Sequence, residues 1–594
     1  MRKRLFVLPL LCLRSVISAL AAPADDQLVN GKYFFRQVMV IANNPFGTPN
    51  AKSLIGSITF DGKGGYRFDA QENVGNNPPV PLTGSGTYSM NPAFVMVMSD
   101  PLRDGQLNAR FGNQAIIAAA TEAASDVFEI FVAITVQPGA GLYPYNVAVL
   151  EFPFTSVRST FFNVEIADAV RLRDIEVKGR AEWLGKGIVT QRISGATYIA
   201  KDDGTGSITF PPGGGDKLLT GTKIIYRNGA MILGGTTAPG VHDLLFGVSA
   251  GQSNFPNEFM FPEYWTAGLR FQNGQFRSYA GSARNDGPGR FALSKRVHQQ
   301  PRNLDYTGVM DFFLQSDRIG TADNGTVLLA GTSTGFLGTA LTDADAGAYE
   351  LFVGISSMGP VAGFYAGGIL NAASSAPGDT PLAPGEFATI YLRGTADNTP
   401  GVVASPPFPT TLDRSQVIVN DVAAQMAYIN VRQINFIVPS STTGPVARIH
   451  LDRWGIGDTP NIEFPLAATS PGVFTLDMTG YGTAVARRAD HTLLTPQNPA
   501  KPGEIIEIFA TGLGAVSPSP ADPSGEPACI TTPTVWIGRQ PSDVLSCRIA
   551  PGYGAGVYEV KLKVPSTLQQ GASYRIAIQT EDAYHEQAEI AVGH

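Results

Sequence analysis

Two strings in this 594-residue sequence have the form Gly-x-Ser-x-Gly: Gly247-Val248-Ser249-Ala250-Gly251 and Gly331-Thr332-Ser333-Thr334-Gly335. On a strand-turn-helix such a serine can be a hydrolase nucleophile, held on a sharp turn beside backbone N–H groups. No helical pattern follows either string, so both read as turns between strands. The six histidines, His242, His298, His450, His491, His585 and His594, stand singly. No His-x-x-x-His or His-Glu-x-x-His pair supplies two metal ligands on one helix face, and a lone His242 at a strand start reads as a surface or hydrogen-bonded residue. Asp343-Ala344-Asp345-Ala346-Gly347 places two carboxylates at a glycine turn. A calcium loop needs more oxygen ligands and a closing glutamate at its twelfth position, so this too reads as a turn. No Gly-x-x-x-x-Gly-Lys-Ser/Thr phosphate loop occurs. The expectation is no catalytic residue, no metal site and no cofactor.

Two further residue types invite chemistry. Trp183, Trp265, Trp454 and Trp536 offer flat apolar faces to a sugar ring, although tryptophans in β-structures are commonly core residues. Trp454, flanked by Asp452, Arg453 and Gly455, has the most polar surroundings and is the candidate ligand-binding residue. Of the three cysteines, Cys12 falls in the N-terminal apolar stretch, which leaves Cys529 and Cys547. In an exported chain these two are expected to form a disulfide, contributing about 3 kcal/mol by closing their loop. Two buried thiols are the alternative.

The elements around these residues follow from composition and pattern. With 66 glycines and 43 prolines, and 43% hydrophobic but 16% charged residues, the chain can fill several cores and does not suit long helical bundles or disorder. MRKRLFVLPLLCLRSVISALAAPADD opens with three cations, runs apolar from Leu5 to Leu13 and reaches Ala19-Leu20-Ala21. That is the pattern of a signal peptide over residues 1–21, with an uncleaved anchor as the alternative. Losing Arg2, Lys3, Arg4 and Arg14 takes the formal net charge from −7 to −11. An acidic chain repels phosphate backbones, so no nucleic-acid partner is expected. No later segment has the length of apolar run that crosses a bilayer, so no membrane span is expected in the mature chain.

Three segments of the first 356 residues rhyme, each as turn, apolar strand, loop and closing strand. Gly112–Ala118 precedes Asp126–Ile134, Asn228–Gly234 precedes Asp243–Val248, and Asn324–Ala330 precedes Tyr349–Ile355, an alignment that matches Phe131, Phe246 and Phe352. Glycine turns such as Asp61-Gly62-Lys63-Gly64-Gly65 and Asn273-Gly274 mark hairpins. Gly-Ser-Ile-Thr-Phe occurs at Gly56–Phe60 and Gly206–Phe210, at different phases of the repeats. Short alternating strands in units of this size close most easily as small antiparallel barrels or sandwiches, either filled by side chains or holding one small ligand.

A second duplication occupies the C-terminal part. Ala383-Pro384-Gly385-Glu386 and the strand after it match Lys501-Pro502-Gly503-Glu504 and its strand, and Val417–Asn420 matches Val535–Gly538. Gln433–Pro439 then matches Glu559–Pro565 at a larger offset, so the second copy carries extra residues between Gly538 and Glu559, read as an enlarged loop stapled by Cys547. Strands of this kind spaced by Pro/Gly loops read as immunoglobulin-like sandwiches.

These same residues carry a resemblance. Leu370-Asn371-Ala372-Ala373-Ser374, Ala383–Glu386, Gln433–Phe436, Ser470-Pro471-Gly472-Val473-Phe474, Asn498–Glu504, Ala510–Val516, Ala550-Pro551-Gly552 and Val557–Val560 are similar to the uncharacterised C-terminal domain of secreted Acidobacteria proteins of the Solibacter type. The resemblance covers about residues 368–592. It departs at Tyr391-Leu392-Arg393-Gly394-Thr395, where the family reads Phe-Gly-x-Gly-Leu. It implies a pair of immunoglobulin-like units on exported proteins and carries no catalytic residue.

The sequence therefore predicts an all-β chain: signal peptide 1–21, three small antiparallel barrel-like or sandwich repeats at 22–140, 141–250 and 251–358, and immunoglobulin-like sandwiches at 368–478 and 479–594. The function it suggests is non-enzymatic binding, adhesion or spacing at the bacterial cell surface, in the periplasm or outside the cell, with an extracellular polysaccharide or another envelope protein as partner. A secreted hydrolase that cuts polysaccharide through paired carboxylates is the alternative, because such a pair can come from distant strands. An outer-membrane barrel would need longer strands with a lipid-facing apolar band.

Overall fold

The chain is all-β: in the computed structural model two short 3-10 turns, Asp25–Leu28 and Glu182–Leu184, accompany strands alone among the described residues. Those residues run from 25 to 593 with gaps, the longer of which are 43–49, 251–262, 358–363, 393–400 and 519–525. Residues 1–24, which include the expected signal peptide, residues 343–346 and Trp454 lie outside them.

Unit one is a closed barrel of eight antiparallel strands from Asn30 to Thr135. It closes because its first strand, Asn30–Ile41, pairs with both the second, Asn50–Asp61, and the last, Val127–Thr135. The strand Gly65–Val74 shows the period of two that a half-buried strand requires, with Tyr66, Phe68 and Ala70 buried and Arg67 and Asp69 exposed. In the turn before it, the Asp61 carboxylate accepts the N–H groups of Lys63 at 2.7 Å and Gly65 at 2.9 Å. Gly62 and Gly64 take the left-handed conformation the turn needs, at φ 68° and 93°.

Unit three, Glu263–Ser356, is a second closed eight-stranded barrel. Unit two, Tyr145–Ser249, is one nine-stranded sheet whose end strands, Ile188–Ile193 and Thr197–Ala200, follow each other in sequence without pairing. The exposed edge of the latter is covered by a loop: Tyr198 N–H donates to the Val170 carbonyl at 2.9 Å and Leu172 N–H to the Ala196 carbonyl at 3.1 Å.

All three interiors are packed with side chains. Tyr145, Val149, Phe162, Phe210 and Leu245 fill unit two, and Tyr264, Phe291, Phe336 and Phe352 fill unit three. There glycines seat the rings, since a Cβ on Gly338 would stand 2.1 Å from the Phe352 ring and one on Gly354 2.2 Å from that of Phe336.

The three rhyming closing strands, Val127–Thr135, Val241–Ser249 and Ala348–Ser356, are buried along nearly their whole length. One face lines the strand's own unit. The other, with Phe128, Ile130, Leu244, Phe246, Leu351 and Val353, enters a core shared by all three units. This two-sided burial explains the apolar runs that follow Glu129, Asp243 and Glu350 in them. The packing is cyclic: the first strand of unit one lies against Met231–Gly235, that of unit two (Tyr145–Pro153) against Gly335–Thr339, and that of unit three (Glu263–Gln272) against Ala115–Ala119. Each of these partners is the penultimate strand of its unit.

The ladder corrects the sequence alignment by one residue in the closing strand of unit two and by a whole strand in unit three, where Asn324–Ala330 leads into Val327–Gly331 but the equivalent of Ala115–Ala119 and Met231–Gly235 is the next strand, Gly335–Thr339. Ala118, Gly234 and Gly338 stand opposite Phe131, Leu245 and Phe352, so Leu245 is the equivalent residue in unit two and Phe246 points into the shared core. A strand apolar on both faces carries no alternation from which register can be read. By the same register Glu129, Asp243 and Glu350 are equivalent.

Residues 364–465 form two five-stranded sheets around Ile390, Val417, Met426, Phe436, Ile449 and Phe464. Residues 472–592 form a further sheet assembly with its own core. The duplicated Pro-Gly-Glu turn is the same in both. Gly385 and Gly503 sit at φ 77° and 79° and donate to the Val438 and Val564 carbonyls, each at 2.9 Å. The Glu386 carboxylate accepts the Ala383 N–H at 2.6 Å, and that of Glu504 the Lys501 N–H at 2.8 Å. Cys529 and Cys547 are disulfide-bonded, with Cα atoms 5.4 Å apart. Cys547 lies within a ten-residue strand, Gln540–Ile549, so the extra residues of the second copy lengthen a hairpin where the sequence suggested a loop.

Candidate functional site

The equivalent acids Glu129, Asp243 and Glu350 point into the ends of their own units, where a buried carboxylate must be compensated. In unit three, Glu350 receives Arg270 from directly across the ladder at 2.9 Å and the Tyr279 hydroxyl at 2.6 Å. Burial, reinforced by Glu350, raises the Tyr279 phenol well above its usual range. In unit one, Glu129 accepts from the Gln37 amide at 2.5 Å and lies beside Asp100, with Arg103 at 2.9 Å from Asp100 and 3.6 Å from Glu129. Burial first, then Asp100, pushes the Glu129 carboxyl well above the ordinary carboxylate range.

Unit two holds the densest cluster. Asp243 and Glu151 are directly opposite on adjacent strands, an arrangement in which like charges repel. Lys223 lies between them, with Nζ 2.5 Å from Asp243 Oδ2 and 2.8 Å from Glu151 Oε2. Arg158 closes on the other oxygen of Glu151. Arg36 arrives from unit one: its Nη2 donates to Asp243 Oδ1 at 2.9 Å and its Nε to the Asp243 carbonyl at 2.6 Å. The Thr236 N–H also donates to Oδ1, at 2.7 Å. Gly235 leaves the room for this, since a Cβ there would stand 2.6 Å from Asp243 Oδ1 and 2.7 Å from Arg36 Nε. Burial pushes Lys223 down, opposed by Asp243. Burial raises Asp243, but Lys223 and Arg36 outweigh it and hold its carboxyl below the usual range.

His242, next in sequence, is buried, and its ring joins Ser53 Oγ and the Gly75 carbonyl, each at 3.1 Å. Of the two roles the sequence allowed it, hydrogen bonding holds and surface exposure does not. Burial, with Arg36 adding to it, pushes the imidazole down to about 4.

Each seam between units has a buried polar anchor. Arg36 joins unit one to unit two. Arg180 joins unit two to unit three through the carbonyls of Ala340, Ala348 and Thr342, at 3.1, 2.8 and 2.9 Å. Ser278 joins unit three to unit one through the Ala120 carbonyl at 2.6 Å. The structure thus brings together acids that the sequence reading left scattered, in the pairs Asp100/Glu129 and Glu151/Asp243. Asp100 is 8% exposed and the other three 0%, with cations or amides in contact, so these carboxylates are held away from bulk water.

Of the two Gly-x-Ser-x-Gly serines, Ser333 is a turn residue as expected, whereas Ser249 is still in the ladder, opposite Tyr145. Ser249 ends a strand, and Ser333 lies in a hairpin turn bounded by Val327–Gly331 and Gly335–Thr339. Among the described tryptophans, Trp265 is buried under Arg110, Trp536 is half-buried, and Trp183 is 39% exposed, with the Arg158 guanidinium 5.5 Å from its ring centre. Its place on a single helical turn, Glu182–Leu184, gave the sequence reading no signal of exposure.

The residues that carried the C-terminal resemblance meet one another between the two last assemblies. Asn371 Nδ2 donates to the Ser470 carbonyl at 2.8 Å, Ser470 N–H to the Gly512 carbonyl at 2.8 Å, and Phe387 N–H to Thr511 Oγ1 at 2.7 Å. Gly512, at φ 71°, has no room for a side chain, because a Cβ would fall 1.9 Å from the Ser470 carbonyl oxygen. These positions join the two assemblies.

No protein-family model matches the chain, and no curated protein matches it. Among solved structures, one similar chain is SGBP-B of the Bacteroides ovatus mixed-linkage glucan utilization locus, in complex with a mixed-linkage heptasaccharide. It is 12% identical with a TM-score of 0.19, and the match covers 55% of this chain and 61% of that one. Another is the full extracellular region of plexin A4, 7% identical with a TM-score of 0.13, covering 90% of this chain and 80% of that one. This chain spans about three fifths of the length of the first. At such scores neither likeness bears on function.

Proposed function

We propose that this chain is an exported, non-catalytic binding or spacing protein of the cell envelope or extracellular space. A locked three-unit head carries the binding surface, and the two C-terminal assemblies act as its support. The observation that carries this reading is that the units are filled with side chains and joined at every seam by buried polar anchors, while the acids that converge there are already paired with cations. Such a body works through its surface. The disulfide suits an oxidising compartment. Trp183, exposed with the Arg158 guanidinium over its ring, offers an apolar aromatic surface of the kind a sugar ring stacks on, and extracellular polysaccharide is the ligand class it fits. The full chain, applied to a polysaccharide panel, is expected to be retained on at least one glycan, and Trp183→Ala to weaken retention about tenfold, the equivalent of about 1.4 kcal/mol. Flat signals on every glycan remove the polysaccharide reading. Release of reducing ends during the assay overturns the non-catalytic one.

A further inference from the structure

The Lys223–Asp243–Glu151 cluster has the geometry of a reacting group. An amine and a carboxylate held in contact in a water-poor interior are the two halves of an amide, and a third carboxyl touching the amine can move the protons. We propose that unit two closes a covalent isopeptide bond between Lys223 Nζ and Asp243 Cγ, with Glu151 as the proton relay.

Each part of the step has its group in place. Lys223 Nζ is 2.5 Å from Asp243 Oδ2, and both side chains are at most 2% exposed. Positioning of this kind replaces a bimolecular encounter with an intramolecular one. Glu151 Oε2, 2.8 Å from Nζ, takes a proton from the ammonium and hands it to Asp243 Oδ2, so that a neutral amine faces a neutral carboxyl and the charge that held the Asp243 carboxylate ionised is discharged. The Nζ–Cγ bond forms while negative charge grows on Oδ1, which already accepts from Arg36 Nη2 at 2.9 Å and from the Thr236 N–H at 2.7 Å. Two donors fixed on that oxygen are the elements of an oxyanion hole. Oδ2 receives the two protons given up by nitrogen, with Glu151 passing them on, and the Cγ–Oδ2 bond breaks to release water. Ammonium plus carboxylate becomes amide plus water, Glu151 ends as it began, and no oxidant or external reagent is required. Burial, which pushes the amine down, favours its neutral, nucleophilic form. Arg158 on the far oxygen of Glu151 orients the relay.

The bond would tie Gly221–Arg227 to Val241–Ser249, two strands that are both neighbours of Met231–Gly235 and not of each other. It would thus staple unit two across three strands beside its contact with unit one. The inference concerns the chain's own chemistry and does not depend on which ligand the surface binds.

Peptide mapping of the purified full chain after proteolysis tests it. The expected result is a branched peptide containing both Lys223 and Asp243, lighter by one water than the sum of its two linear parts. In Glu151→Gln that peptide should fall at least tenfold, with the two linear peptides taking its place. In Asp243→Asn the link should form with loss of ammonia in place of water, which keeps the proposal testable should Glu151→Gln fold poorly. Linear peptides alone from the natural chain, or a water loss that maps elsewhere, overturn the proposal.

Discussion

Replacing Arg36 by methionine tests the seam between units one and two. The side chain is 0% exposed and donates through Nε to the Asp243 carbonyl, and through Nη2 to both Asp243 Oδ1 and the Thr236 carbonyl. Methionine keeps most of the volume and removes the charge and all three hydrogen bonds. Removing one partner of a buried pair costs about 3–5 kcal/mol, because the other is left buried and under-compensated. Lys223 remains on Asp243, as its ion-pair partner or through the proposed amide, which places the expectation at the lower end, about 3 kcal/mol. For a locked body of the three units, roughly 330 residues at about 2.1 cal/mol/K each, this lowers the melting temperature by about 4 °C. Differential scanning calorimetry of the full chain reads it, with Arg192→Ala as control. Arg192 and Asp174 are 77% and 42% exposed, and a pair of that kind contributes at most about 1 kcal/mol. A shift for Arg36→Met no larger than that of the control refutes the claim that the anchor holds the seam.

Two other consequences concern pH and the C-terminal junction. His242 is neutral in the folded chain down to about 4, so its contribution is intact above the unfolded value near 6.5 and is lost as pH falls toward 4. The loss amounts to roughly 3 kcal/mol, and denaturant titrations of His242→Gln between pH 7 and 4 should show a correspondingly flatter decline. Gly512→Ala forces a side chain into the Ser470 carbonyl and should cost about 1–3 kcal/mol or more. Gly552→Ala, at φ 83° but with nothing within 4 Å, should cost only the left-handed strain of about 1 kcal/mol, a contrast that thermal melts of the two variants will show.

What the sequence made legible was local. Apolar runs such as Ile130–Ile134 announced the closing strands, and paired Pro-Gly-Glu turns announced the C-terminal duplication, because each signal lies within a few residues. The register of Val241–Ser249 was not legible, since the property that marks it as buried on both sides erases the alternation that would fix its facing. Nor was the ion cluster. Arg36, Glu151, Lys223 and Asp243 each stand as one polar residue in an ordinary strand, and only the wrapping of unit two and its docking on unit one bring them together across as many as 207 positions. Trp454 drew attention by its charged neighbours and lies outside the described residues, whereas the exposed Trp183 sits between alanine-glutamate and leucine-glycine, with little to mark it.

The central claim is that the first three units form one locked body, and amide hydrogen exchange of the full chain measures it most directly. Val127–Thr135, Val241–Ser249 and Ala348–Ser356 share one core and should be the slowest-exchanging segments of the N-terminal half, protected to a similar degree and deprotected together in mild denaturant. Exchange of any one of them at the rate of a surface loop, while the other two stay protected, would contradict the account.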